Sequence, residues 1–238
     1  MEWIAIDLPG GRSWRMSGLE VLDRRTGTEP AALVGDWTGP QIIAGLVDDA
    51  GPRQTPCPVF PDQGLFPPIT QAQPHHILPH AAAIAGYLHC RDWDGVICHV
   101  TDRVYWVQVS ANEIISFQAS VAPTLAAGLG GTGSEADFDA GLDQGLDRPE
   151  WLLPRMASAL DTGKPAAFLR GLIIGTDLKA ARPYWLGQQV AVIGEGDLAQ
   201  GYARGLAAQG CPVTAIPDTT LAGLCALYYR LSESKNAF

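Results

Sequence analysis

The strongest constraint on the fold comes from residues 190–210, near the C-terminal end of the chain. Their sequence is VAVIGEGDLAQGYARGLAAQG. An apolar run, a glycine turn and a helix rich in small residues follow one another, which is typical of a strand–turn–helix unit that binds a nucleotide. A further strand is predicted at residues 212–216 and a last helix at residues 221–234.

A dinucleotide-binding (Rossmann) domain is the first fold to consider for this unit. Gly194, Gly196 and Ala199 fit its glycine fingerprint, and Asp218 stands where an acid would bind a ribose. A Rossmann half needs a third strand, however, and only a helical segment follows Asp218 in the sequence. We therefore set an NAD-dependent oxidoreductase aside.

The chain repeats one structural plan. Strand patterns with turn signals open it, and a similar β-meander begins again near residue 94, ahead of a long helical region. Prolines recur over residues 51–79, which predicts extended segments with little helix at a lobe boundary. Two such lobes are typical of the α/β actin-like ATPase (ribonuclease H-like) fold, with mixed sheets flanked by helices. We expect lobes at residues 1–72 and 73–238, with the glycine turn of residues 194–196 facing the cleft between them.

Composition and charge exclude several classes of protein. The 238 residues carry a formal net charge of −9 and no basic run, which argues against a nucleic-acid partner. No apolar stretch approaches the roughly 20 residues of a membrane span. Acidic residues flank the first apolar run, so we expect no signal peptide and a cytoplasmic protein.

Cysteine and histidine residues raise a metal hypothesis. The five cysteines are odd in number and scattered, and we expect reduced thiols. Five histidines lie between residues 75 and 99, but only His75 and His76 with His80 approach the spacing of zinc ligands. We therefore expect no structural zinc site.

Three segments of the C-terminal half carry a family resemblance. They are FDAGLDQGL at residues 138–146, FLRGLIIGTDL at residues 168–178 and the segment at residues 190–224. These segments resemble the 2-keto-3-deoxygalactonate kinases (2-dehydro-3-deoxygalactonokinases). The N-terminal WIAIDLPGGRSWRM, and then IIAGLV and YWVQV, resemble the same family in the same order. The resemblance implies the actin-like ATPase fold and transfer of the γ-phosphoryl group of ATP to a hydroxyl of a sugar acid, with magnesium.

The resemblance also implies the roles of individual residues. Asp7 matches the aspartate of the first phosphate loop, a catalytic residue that orients magnesium or its waters. Thr101 and Asp102 fall in the second phosphate loop as further catalytic candidates, although an aspartate between two strands is also a common turn residue. The implied cofactor-binding residues are Gly10, Gly171, Gly175, Gly194, Glu195 and Gly196. ATP with magnesium is the expected cofactor, a small-molecule sugar acid the expected partner, and a homodimer a possible assembly.

Several positions depart from the family pattern where phosphate and substrate bind. The first loop, Asp-Trp-Gly-Ser-Thr in the family, is Asp7-Leu8-Pro9-Gly10-Gly11 here, so two hydroxyls and one amide donor are lost. The second loop, Pro-Gly-Thr-His in the family, lacks its glycine at residues 99–102. Further departures lie at Asp48-Asp49, at residues 78–86 and at residues 122–124. We expect weak or lost kinase activity; the alternative is a catalytically silent relative that binds a sugar acid or nucleotide, or that acts as a regulator.

Overall fold

The computed structural model describes residues 1–236, which form a mixed α/β structure. The strands are β1 (Glu2–Asp7), β2 (Arg12–Ser17), β3 (Glu20–Thr26), β4 (Gln41–Ala44), β5 (Arg53–Gln54), β6 (Cys57–Pro58), β7 (Leu65–Phe66), β8 (Ile69–Gln71), β9 (His76–Leu78), β10 (Gly95–Val100), β11 (Val104–Ser110), β12 (Glu113–Ser120), β13 (Val190–Ile193) and β14 (Val213–Ile216). The helices are α1 (Pro30–Val34), α2 (Ala81–Leu88), α3 (Ala122–Ala127), α4 (Glu135–Asp147), α5 (Leu152–Asp161), α6 (Ala166–Ala180), α7 (Arg182–Trp185), α8 (Gly196–Ala208) and α9 (Thr220–Asn236).

Two compact units make up the chain. Unit 1 contains Met1–Trp93, Val109–Ser116 and the segment that begins at Asp218, and unit 2 contains Asp94–Gln108 and Phe117–Pro217. Within residues 1–236, no helix combines the length and the apolar character that crossing a membrane requires.

Unit 1 is built on a five-stranded sheet with the order β3-β2-β1-β4-β7. The first three strands form the predicted antiparallel meander, whereas β4 joins β1 in parallel and β7 joins β4 in parallel. β1 lies at the centre of this sheet, and its residues from Trp3 to Asp7 are all buried. An apolar central strand thereby brings one carboxylate, that of Asp7, to the interior at its C-terminal end.

The proline-rich segment, residues 51–79, is described throughout and contains no helix. It forms five short strands, of which β5, β8 and β9 make a small sheet and β6 pairs with β12. This confirms the predicted extended structure, because proline fixes φ and removes the amide donor that a helix needs.

The C-terminal helix α9 packs against α2 within unit 1. A Cβ atom added to Gly86 would overlap the backbone of Thr219, and one added to Gly223 would overlap Ala82, so the two helix backbones are in direct contact. Tyr228 of α9 also stacks on Trp3 of β1, with ring centres 4.1 Å apart. Residues 73–93 and α9 therefore belong to unit 1, and the units differ in extent from lobes at residues 1–72 and 73–238.

Unit 2 contains the parallel strands β14, β13 and β10, side by side in that order, and residues 104–108 of β11 lie next to β10. Helix α8 connects β13 to β14, as the sequence predicts. One carboxylate, Asp177 of α6, is buried in this core and accepts hydrogen bonds from Trp106 Nε1 at 3.3 Å and from the Tyr202 hydroxyl at 2.9 Å. Burial raises the pKa of Asp177 against the opposing effect of these hydrogen bonds.

Helices α4 and α6 of unit 2 cross at four glycines. A Cβ atom at Gly141 or Gly145 would overlap the backbone of α6, and one at Gly171 or Gly175 would overlap the backbone of α4. Any side chain at these positions would push the two helix backbones apart. This packing accounts for glycines inside two helices, where glycine costs about 1 kcal/mol relative to alanine.

We predict that Gly171→Ala destabilises the protein by about 1–3 kcal/mol, because the added methyl group meets backbone and outweighs the gain in helix propensity. Urea unfolding measures the change. Gly130→Ala is the matched control, since a Cβ atom there has no neighbour within 4 Å, and it should stay within about 0.5 kcal/mol of the wild type. Equal stabilities for the two variants would contradict the close crossing.

Candidate functional site

Asp7 ends β1 with its side chain only 2% exposed. The turn at residues 8–11 leads into β2, and the register of the hairpin places Arg12 directly opposite Asp7. Arg12 donates two hydrogen bonds to Oδ2 of Asp7, from Nε at 3.1 Å and from Nη2 at 2.6 Å. The carboxylate is therefore neutralised by a guanidinium of the neighbouring strand.

The same guanidinium bonds to a second carboxylate, at the start of α9. Nη1 of Arg12 lies 2.6 Å from Oδ2 of Asp218, whose Oδ1 accepts from the amide of Thr220 at 3.0 Å and from its hydroxyl at 2.6 Å. Burial lowers the pKa of Arg12, but its bonds to Asp7 and Asp218 raise it overall. Burial likewise raises the pKa of Asp218, and the hydrogen bonds from Thr220 and Arg12 outweigh it, so that this pKa is lowered. We call Asp7, Arg12 and Asp218 the Arg12 network.

The backbone of the β1–β2 turn (residues 8–11) is also bonded within the chain. Proline at position 9 has no amide donor. The other amides donate to acceptors of unit 1: Leu8 to the Ala44 carbonyl at 3.1 Å, Gly10 to Asp7 Oδ1 at 3.2 Å and Gly11 to the Leu8 carbonyl at 3.1 Å. All the amide donors of the turn are therefore engaged by acceptors of unit 1.

Thr101 and Asp102 lie in the turn between β10 and β11. The Thr101 amide donates to the Arg103 carbonyl at 2.7 Å, and the Thr101 hydroxyl donates to Asp102 Oδ1 at 3.0 Å. The Asp102 carbonyl accepts from the Thr124 hydroxyl at 2.6 Å. Thr101 thus bonds within its own turn, whereas the Asp102 side chain is exposed at the surface of unit 2. This environment suits a turn aspartate, and the catalytic roles of both residues stay predictions.

The glycine turn of residues 194–196 joins β13 to α8 as predicted, with the helix beginning at Gly196. Gly194 has φ +152°, and a Cβ atom there would lie 2.8 Å from the Val100 carbonyl oxygen, so the turn requires glycine. Gly196, with φ +74°, has open space beside it. The turn, including Glu195, lines a cavity of about 300 Å³.

A second cavity of about 300 Å³ lies beside α8, between the starts of α4 and α6. Gln200 lines both cavities, so they are neighbours at the first turns of α8. Two cations, Arg170 and Arg204, line the second cavity. Arg204 is held by Asp139 at 2.7 Å and Glu135 at 2.8 Å. The carboxylates of Glu135 and Asp197 also line this cavity. Apolar walls, the Arg170 guanidinium and a glycine turn at a helix start could hold a nucleoside and its first phosphate.

Gly171 and Gly175 contact the backbone of α4 and do not line these cavities. Gly10 lies against the Arg12 network, where a Cβ atom would stand 2.8 Å from Arg12 Nε. Packing thus explains all three glycines, and their cofactor roles stay predictions. Among the predicted cofactor residues, Gly194, Glu195 and Gly196 are brought together at one cavity.

The residues around Asp7 do not fit a divalent cation. Magnesium needs free carboxylate oxygens and keeps several of its waters. Here Oδ2 of Asp7 accepts two hydrogen bonds from Arg12, Oδ1 accepts one from Gly10, and the side chain is buried. The metal role that the family resemblance implies for Asp7 stays a prediction, and the geometry does not favour it.

The cysteines differ in environment. Cys90 is exposed, and its Sγ lies 3.3 Å from Nε2 of His89. Burial raises the pKa of the other thiols, Cys57, Cys98, Cys211 and Cys225, the last to about 11. Among residues 1–236 we find no group of three or more His, Cys, Asp or Glu side chains that could hold a metal ion.

Comparison with solved structures identifies the class of fold. A protein from Sinorhizobium meliloti, provisionally assigned as a 2-dehydro-3-deoxygalactonokinase, is similar over 97% of this chain and 98% of its own, with a TM-score of 0.78 and 18% identity. The activator of the 2-hydroxyisocaproyl-CoA dehydratase from Clostridium difficile, with bound ADPNP, is similar over 100% and 97% (TM-score 0.52, 10% identity). Component A of the (R)-2-hydroxyglutaryl-CoA dehydratase from Acidaminococcus fermentans is similar over 93% and 94% (TM-score 0.53, 10% identity). The chain has the α/β fold of the actin-like ATPases, which confirms the predicted fold class.

The sequence comparison then gives the family. The profile of the 2-keto-3-deoxy-galactonokinase family matches residues 81–227, more than half of the chain. The chain therefore belongs to this kinase family, as the resemblance implies. No curated protein sequence gives a significant match.

Arg12 is the residue that sequence reasoning missed. A four-residue turn between two strands makes its flanking residues cross-strand neighbours, so Asp7 and Arg12 could have been paired from the sequence. The partnership with Asp218 had no such signal, because 206 positions separate it from Arg12. Gln200, Arg170 and Arg204 were missed because their meeting at a cavity depends on how three helices pack.

The lowered pKa of Asp218 predicts how stability depends on pH. Because the folded pKa lies below the unfolded value, the carboxylate stabilises the fold above about pH 4, and this contribution disappears as pH falls through the folded pKa. We expect Asp218→Asn to lower the free energy of unfolding by a constant amount between pH 5 and pH 7, and the difference from wild type to shrink below about pH 4. Urea unfolding across this range, with the exposed Asp161→Asn as control, measures it. A difference that stays constant down to pH 2.5 would contradict the ion pair.

Proposed function

We propose that this chain binds an adenine nucleotide through unit 2 and has weak or no activity in transferring its phosphoryl group to a 2-keto-3-deoxy sugar acid. Membership of the kinase family supports the substrate class. The paired cavities at the start of α8 support the nucleotide part of the proposal.

The main support for the proposed loss of activity is the β1–β2 turn, whose amides are already hydrogen-bonded within the chain. Phosphoryl transfer relies on positioning and on donors that stabilise charge on the transferred group. In this turn Pro9 offers no amide, and the amides of Leu8, Gly10 and Gly11 already have acceptors. Loss of one preorganised donor commonly costs a factor of about 10²–10³ in rate. A turn with all its donors engaged is therefore a poor phosphate cradle.

The residues of unit 2 would hold the nucleotide as follows. The glycine turn of residues 194–196 would lie against the nucleoside, because Gly196 leaves open space at the cavity. Arg170 would face the nucleotide with a positive charge, and Arg204 is already neutralised by Asp139 and Glu135. Bound ATP would supply the phosphoryl group. Asp102, an exposed carboxylate, is the proposed acceptor for a sugar hydroxyl proton.

A second candidate function is a silent relative that binds a sugar acid or a nucleotide without turnover. The ion-paired state of Asp7 favours it, because a carboxylate engaged by Arg12 is not available to organise phosphates. The two candidates share the ligand sites and differ in role: the first is a kinase whose turnover is weak or lost, and the second is a protein whose function is binding alone.

Turnover is tested by a coupled assay for ADP release with ATP, magnesium and 2-keto-3-deoxygalactonate. We expect a rate at least about 100-fold below the ordinary kinase range of about 1–100 s⁻¹. A rate within that range that Asp7→Ala abolishes would show that the first loop works as in an active kinase, and would contradict the proposed loss.

Nucleotide binding is tested separately by calorimetric titration with ADP. Gln200→Trp places a large ring in the lining that the two cavities share, and we expect it to weaken binding by about tenfold or more, equivalent to about 1.4 kcal/mol. Gln209→Trp, at an exposed position beyond the end of the same helix, is the matched control and should bind as the wild type does. Absence of binding to the wild type, or equal binding by both variants, would contradict this site.

A further inference from the structure

In the Arg12 network, two carboxylates surround one positive charge, and that charge is the guanidinium of Arg12. Two carboxylates, Asp7 and Asp218, converge on one guanidinium, with nitrogen–oxygen distances of 2.6 Å to each. Pairs of carboxylates that share a charge are also the usual protein ligands of magnesium and manganese. The positive charge between them here belongs to Arg12.

We propose that Arg12 takes the place of a divalent metal ion at Asp7 and excludes such an ion from the β1–β2 turn. What the exclusion means for nucleotide binding rests on the proposed function. The exclusion itself concerns only the chain and a metal ion.

The hydrogen bonds of Arg12 occupy the carboxylate oxygens that a metal ion would need. The guanidinium fork uses Nε and Nη2 on one oxygen of Asp7 and Nη1 on Asp218, so a metal ion would have to break three close contacts to enter. Arginine also keeps its charge under all ordinary conditions and cannot leave by deprotonation. The Arg12 side chain is held in addition over the ring of Trp14, 5.2 Å from its centre.

Space on the other side of the carboxylate is closed by Gly10. Its amide donates to Asp7 Oδ1 at 3.2 Å, and a Cβ atom on Gly10 would overlap Asp7 and stand 2.8 Å from Arg12 Nε. The Asp7 side chain is 2% exposed, against 24% for Arg12. Solvent, and any hydrated metal ion, therefore reaches the arginine and not the aspartate.

Removal of the arginine charge should allow a divalent metal ion to bind between Asp7 and Asp218. Arg12→Gln leaves Asp7 and Asp218 without their shared cation, and two unpaired carboxylates attract a divalent ion strongly. Arg12→Lys keeps a positive charge at the same place and should keep the ion out. Arg15→Gln is the matched control, because Arg15 pairs with the exposed Glu2 in the same hairpin.

Manganese titration of the full chain without nucleotide, followed by the electron paramagnetic resonance of free Mn²⁺, tests the proposal. We expect the wild type, Arg12→Lys and Arg15→Gln to bind no stoichiometric Mn²⁺. Arg12→Gln should bind one ion at least about tenfold more tightly than wild type, and the double variant Arg12→Gln/Asp7→Asn should lose it.

Two outcomes would overturn the proposal. One is a wild-type protein that binds Mn²⁺ and loses it on Asp7→Asn; the other is an Arg12→Gln variant, folded by circular dichroism, that binds no more tightly than wild type. If Arg12→Gln does not fold, the comparison of wild type with Asp7→Asn and Arg12→Lys still decides, since metal binding by wild type or by Arg12→Lys through Asp7 contradicts exclusion by charge. No nucleotide is present, so failure of the ADP titration would contradict the proposed function alone.

Discussion

The carboxylate of Asp7 sets the character of unit 1, because a buried charge has to be compensated within reach of its own oxygens. The apolar strand β1 brings Asp7 to the interior, and Arg12 and the Gly10 amide supply the compensation. Burying an ionised carboxylate without such partners would cost several kcal/mol. The β1–β2 turn supplies one of these partners through the Gly10 amide, and the same guanidinium also bonds to Asp218, two residues before α9.

Compensating the charge of Asp7 uses hydrogen-bond donors that a kinase would need for phosphate. A kinase of this fold class needs phosphates to be met by donors that are free until the substrate binds. In this chain the donors of the first turn serve the fold, whereas the glycine turn before α8 remains open to a cavity. On the proposed function, the turn before α8 would recognise a nucleoside, whereas the β1–β2 turn, which the family resemblance assigns to phosphate, has its donors bonded within unit 1.

Much of the fold could be predicted from the sequence. The opening meander, the extended proline-rich segment and the final strand–helix–strand–helix order follow from local patterns, which depend on neighbouring residues alone. Local patterns could not predict which helices and strands pack together in each unit. Helix α9 joins unit 1 because Gly223 and Gly86 allow two distant helices to touch, and sequence spacing carries no sign of that contact.

The candidate site shows the same division. The turn at residues 194–196 is local, and its strand, glycines and helix were all predictable. The Arg12 network is partly local, through the hairpin that pairs Arg12 with Asp7, and partly not, through Asp218. Likewise Gly171 and Gly175 look like cofactor glycines in the sequence, and only the packing of α4 on α6 explains them by contact between helices.

The central claim is that the β1–β2 turn is closed to phosphate while the turn before α8 is open to a nucleotide. Backbone amide chemical shifts, recorded by NMR during titration with ADP and with ATP, test both halves in one experiment. The structure predicts that the amides of Gly194 and Gly196 shift with added nucleotide and that those of Gly10 and Gly11 do not. Saturable shifts at Gly10 and Gly11 with ATP, at the same concentrations that affect Gly194, would contradict the account.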